Sequence, residues 1–74
     1  MSESKILETI QDMINEFKKQ EDVLADEIKD LEVKVVVAVY NNAPDRRALI
    51  KTQARLKDEV RALRRKIETL ASYL

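Results

Sequence analysis

From Leu7 onward, steps of three and four residues pick out Leu7, Ile10, Ile14, Phe17, Glu21, Leu24, Ile28, Leu31, Val35 and Ala38, and only Glu21 on this line is polar. After Pro44 the same stepping gives Leu49, Gln53, Leu56, Val60, Leu63, Ile67, Leu70 and Leu74, broken only by Gln53. An apolar period of about 3.5 residues held over about four heptads marks helices that pack along a narrow seam. The pattern predicts an all-α chain, a two-helix antiparallel coiled-coil hairpin with helices over about 4–40 and 44–74.

The stretch EVKVVVAVYNNAPDRR, residues 32–47, carries a competing signal, because Val33, Val35, Val37 and Val39 alternate as they would in a strand. A lone strand needs a partner, and no other window offers β-branched alternation to supply one. Val35 and Ala38 continue the helical line without a phase change, so a helix end of weak propensity, held by packing, is expected here. Val36, Val37 and Val39 fall off that line, which leaves the last two turns apolar nearly all round.

A break must follow. Asn41 and Asn42 tolerate left-handed and capping conformations, and Ala43, preceding Pro44, is pushed away from helical geometry. Asn42 or Ala43 is expected to cap the second helix, with Pro44 in its first turn and Asp45 favoured at its positive end. So short a connection makes the helices antiparallel neighbours. Folding about the turn then pairs Ala38 with Leu49, Val35 with Gln53, Leu31 with Leu56, Ile28 with Val60, Leu24 with Leu63, Glu21 with Ile67, Phe17 with Leu70 and Ile14 with Leu74. Seam meets seam along the whole second helix. Of the flanking charges, Glu32 is expected to meet Lys57, whereas Glu27 lies near Glu59.

Residues 1–13 run past the end of the second helix, so Ile6, Leu7, Ile10 and Met13 are expected to lack a partner within the hairpin. Such a stripe points to a homo-oligomer joined through residues 1–13, to another protein, or to a continuation of the chain; a frayed or folded-back terminus is the plain alternative.

Composition supports this picture: 74 residues with no Gly, one Pro, 38% charged and 45% hydrophobic residues are those of a long-helix protein forming one helical-hairpin domain over 1–74, whole or as the first piece of a larger protein. Without an apolar leader or a run of membrane-spanning length, a cytoplasmic protein with no membrane span is expected. Cys and His are both absent. No thiolate, imidazole or glycine-rich phosphate loop can therefore form, Ser2, Ser4 and Ser72 have no base beside them, and Asp26, Glu27, Asp30 and Glu32 are more simply a solvated face than a metal site. No catalytic residue, metal or cofactor is expected, and the chain does not look like an enzyme.

Net charge is zero, yet residues 1–44 hold five Lys against ten acids and residues 45–74 hold nine bases against four acids. One half is therefore −5 and the other +5. The bases Arg47, Lys51, Arg55, Arg61 and Arg65 follow the outer side of the second helix with Asp58 among them, either as an ordinary solvated surface or as a docking face for an acidic partner. No aromatic residue interleaves with them, which argues against a nucleic-acid role.

From Tyr40 the stretch YNNAPDRRALIKTQARLKDEVRALRRKIETL, preceded by EIKDLEVKV, resembles the Rho-effector homology repeat, the coiled-coil finger of protein kinase C-related kinases, rhophilin and rhotekin. Shared features are the acidic-apolar first helix, a Tyr before a short polar turn, and Asp45, Arg46, Arg47, Leu49, Gln53, Leu56 and Asp58 in similar order, over about residues 24–74. The resemblance implies a non-catalytic module that binds a GTP-loaded Rho-type small GTPase along the hairpin surface, but it carries over no individual contact residue. The turn-proximal basic face, Arg46, Arg47, Lys51 and Arg55, with Tyr40 as an apolar anchor, is where contact is expected. More loosely, the chain is similar to the N-terminal coiled-coil hairpin of hantavirus nucleoproteins, which implies self-assembly instead.

Overall fold

Two helices joined by a five-residue turn make up the fold: α1 spans Ser2–Tyr40 and α2 spans Arg46–Ala71 in the computed structural model, which describes residues 2–74. They pack against each other as an antiparallel hairpin in a rod of 60 × 15 × 12 Å. At about 1.5 Å of rise per residue, the 39 residues of α1 alone account for the length. Among the described residues there is no strand, and the valine run lies wholly inside α1.

The helix reading of residues 33–40 holds because packing and a capped end override poor propensity. Ala38 is only 6% exposed. Just beyond it, the Ala43 N–H donates to the Ala38 carbonyl at 2.8 Å and the Asn42 N–H to the Val39 carbonyl at 3.1 Å. This pair of bonds around a left-handed residue is the Schellman arrangement, and Asn42 with φ of 53° is that residue. Glycine is the usual choice there; the chain has none and uses asparagine, whose short amide tolerates the left-handed region.

The second helix starts later than expected. Asp45, rather than Asn42 or Ala43, is its N-cap, and Pro44 precedes the helix instead of opening its first turn. The reason is a tight turn over residues 43–46, closed by the Arg46 N–H on the Ala43 carbonyl at 3.3 Å. Asp45, with φ −89° and ψ 1°, has the geometry of the third residue of a type I turn, which suits proline just before it. Its carbonyl accepts the Leu49 N–H at 3.1 Å and so begins the helical ladder.

Ile14, Ala38, Leu56, Val60 and Leu63 form the core, each at most 7% exposed, and all five lie on the two seams. Most other seam residues are half-buried. Two helices can cover a seam from one side only, so the apolar line is closed along its middle and open at its flanks. The expected pairing of Ile14 with Leu74 is corrected at the α2 end: the helix stops at Ala71, residues 72–74 continue as turns, and Leu74 is 58% exposed.

Both polar seam positions are tolerated. Glu21 accepts a hydrogen bond from Arg64 Nε at 2.9 Å, an ion pair that bridges the helices and lets a carboxylate sit at a half-buried position. One turn away Lys66 Nζ lies 5.6 Å from the centre of the Phe17 ring, a cation–π contact across the same interface. Gln53 is likewise half-buried, and no buried polar side-chain atom among the described residues lacks a partner. The expected contact between Glu32 and Lys57 does not form an ion pair among the described residues. Both side chains are well exposed, where fixing two long chains costs about what the attraction returns.

Candidate protein-interaction surface

The turn fixes the residues around it. Arg46 folds back so that one guanidinium nitrogen donates to the Ala43 carbonyl at 2.9 Å and approaches the Asn42 carbonyl at 3.5 Å. Its charge thereby sits at the negative end of α1, whose own last turn holds no basic residue. Of the five residues expected to touch a partner, Arg46 is thus an anchor of the turn.

The other four separate onto two edges of the rod. Tyr40, 90% exposed, stands on the side of α1 turned away from α2. Arg47, Lys51 and Arg55 follow one another at four-residue steps along the outer side of α2, and all are exposed. Tyr40 shares its edge with Val33, Val36 and Val37, which are 66%, 62% and 52% exposed. Spaced i, i+3, i+4 and i+7, these four residues form a second apolar stripe, opposite the seam. Val39 and Ile50, also exposed, extend apolar character onto one face beside the turn.

At the open end of the hairpin Ile6 is 58% exposed and Leu7 and Met13 each 43%, while Ile10 is half-buried. Met13 borders a depression shared with Phe17, Lys66 and Leu70, so α2 partly covers that end of the stripe. The uncovered part is narrower than expected: Ile6, Leu7 and one side of Met13.

The off-seam valines expected to make the last two turns of α1 apolar nearly all round resolve, together with Val33 and Tyr40, into one outward stripe. Its signal is the helical phase of Val33, Val36, Val37 and Tyr40 relative to Val35 and Ala38. The links from Glu21 to Arg64 and from Phe17 to Lys66 need the side-chain packing, since heptad position alone does not aim a long side chain.

Among the described residues no group of acids could hold a metal ion, and no helix is long and apolar enough to cross a membrane. The described depressions are open grooves, one on α1 alone beside Val23 and others between the helices, such as the one between Gln20, Leu24, Glu59 and Lys66, and none encloses a ligand-sized cavity. Comparison with protein-family models, curated proteins and solved structures gives no match.

Proposed function

We propose that this chain is a non-catalytic protein-interaction module, a helical hairpin that presents its turn end to a partner protein, and that a GTP-loaded Rho-type small GTPase is the partner class to test first. One observation carries the reading: an exposed apolar stripe of Val33, Val36, Val37 and Tyr40 stands at a rigidly capped turn whose other edge bears Arg47, Lys51 and Arg55. Exposed tyrosine and arginine, here on the two edges of the turn end, are residue types enriched at contact surfaces. The GTPase itself rests on the resemblance of residues 24–74 alone.

Calorimetric titration of the chain with GTP-loaded and GDP-loaded Rho proteins tests it. Binding of the GTP form only, weakened at least tenfold by Arg47→Glu with Lys51→Glu and by Tyr40→Ala, supports the proposal. No binding of either form removes the GTPase as partner. A second reading, self-assembly through residues 1–13, is favoured by the exposure of Ile6 and Leu7 beyond the end of α2. Ile10→Asp should then abolish the oligomer and leave the helical circular dichroism signal in place; an unchanged oligomer overturns that reading.

A further inference from the structure

The side of α1 turned away from α2 carries a line at steps of three and four: Lys19, Asp22, Asp26 and Lys29, continuing into Val33, Val36 and Tyr40. The corresponding line on α2 runs Arg47, Lys51 and Ala54, then Asp58, Arg61, Arg65 and Glu68. All of these residues are exposed. Laid antiparallel, the two lines match throughout. Lys19 meets Glu68, Asp22 meets Arg65, Asp26 meets Arg61 and Lys29 meets Asp58, so the sign order plus, minus, minus, plus faces its complement. In the same register Val33 meets Ala54, Val36 meets the aliphatic stem of Lys51, and the Tyr40 ring meets Arg47.

Within one hairpin these lines lie on opposite edges and cannot touch. Among the described residues the only ion pair between the helices is the one from Glu21 to Arg64, which lies off both lines. Arg61 is paired with Asp58 of its own helix at 3.2 Å, with both side chains about 70% exposed (69% and 73%), a contact that exchanges readily for another carboxylate.

We infer that the outer edge of α1 docks the outer edge of α2 of a second copy of this chain, so that hairpins associate side by side with their turns at the same end. The charged pairs set register and polarity, and the valine and tyrosine end supplies the apolar contact. Because the two edges differ, the contact is heterologous: each added copy leaves one edge of each kind free, and growth continues as a ribbon unless the rotation closes a ring. The inference does not rest on the proposed GTPase partner. It also uses none of residues 1–13, and an assembled α2 edge would exclude a partner at Arg47 and Lys51.

A charge-swap experiment by sedimentation velocity at low ionic strength tests it. Asp22→Arg with Asp26→Arg sets bases against Arg65 and Arg61, and Arg61→Asp with Arg65→Asp sets acids against Asp26 and Asp22. Each variant alone should need at least tenfold higher concentration than the native chain to associate, and a mixture of the two should restore association. Half-molar salt should dissolve the native assembly. A native chain that stays monomeric at every concentration overturns the inference and leaves the valine stripe to a different protein. So do variants that associate like the native chain, or a mixture that stays monomeric while both components remain helical. An assembly removed by Ile10→Asp but indifferent to the charge swaps overturns it too, in favour of the N-terminal stripe.

Discussion

Replacing Asn42 should move stability in opposite directions depending on the residue introduced. The side chain at this position makes no hydrogen bond that the structure depends on; what matters is its φ of 53° and the two backbone bonds it permits, to Val39 and from Ala43 to Ala38. A left-handed conformation costs an ordinary residue about 1–2 kcal/mol, asparagine less and glycine least. Asn42→Gly should therefore stabilise the hairpin by about 0.5 kcal/mol, part of the gain being offset by the greater freedom of glycine in the unfolded chain. Asn42→Ala should destabilise it by about 1 kcal/mol, and Asn42→Val by more, since β-branching makes positive φ worse. In a domain of this size about 1 kcal/mol corresponds to roughly 4–8 °C in Tm. Urea and thermal unfolding followed by circular dichroism would read both changes. An alanine variant as stable as the glycine variant would refute the reasoning, because alanine gains only if helix continues through residue 42 instead of turning there.

Other substitutions separate the closed seam from the open edges. Leu63→Ala, at a position 7% exposed, should cost about 2–4 kcal/mol in the same unfolding assay, whereas Val36→Ala, at 62% exposure, should be neutral or slightly stabilising because alanine is the better helix former. Glu21→Leu should be neutral or stabilising, since it replaces a half-buried ion pair with an apolar seam residue, while a double-mutant cycle on Glu21 and Arg64 should give a coupling below about 1 kcal/mol that shrinks with salt. Arg46→Ala should lower stability by about 1 kcal/mol through loss of its bond to the Ala43 carbonyl, with little change for Arg47→Ala, which makes no such bond in the structure; denaturant midpoints for the pair would show the contrast.

The seams were legible in the sequence because a period sustained from Ile10 to Leu70 is a property of the chain that a two-helix packing can satisfy in one register. Position of the turn was legible for the same reason: Asn42 and Pro44 interrupt a chain without any other strong breaker. Its internal form was less so. Asn42 was a natural N-cap candidate for α2, yet it closes α1, because the tight turn over residues 43–46 moves the N-cap three positions on, to Asp45.

Of the candidate surface, the residue types were legible and their grouping was not. Tyr40 and the bases of α2 are near in sequence but stand on opposite edges, and Arg46 turns inward onto carbonyls that exist only once the turn has formed. Val36 and Val37 were legible as off-seam residues, but their grouping with Val33 and Tyr40 follows only from the phase of a continuous helix.

All of this depends on the chain folding back on itself, and a distance between the helices tests that directly. The chain has no native cysteine, so spin labels can be placed cleanly through Gln20→Cys and Lys66→Cys, positions that border one depression between α1 and α2. Dipolar EPR on labelled protein diluted into unlabelled protein should give a separation under about 20 Å, since packed helices lie about 8–10 Å apart. A separation near 70 Å, the reach of one continuous helix at about 1.5 Å per residue, would contradict the hairpin and every surface assigned to it.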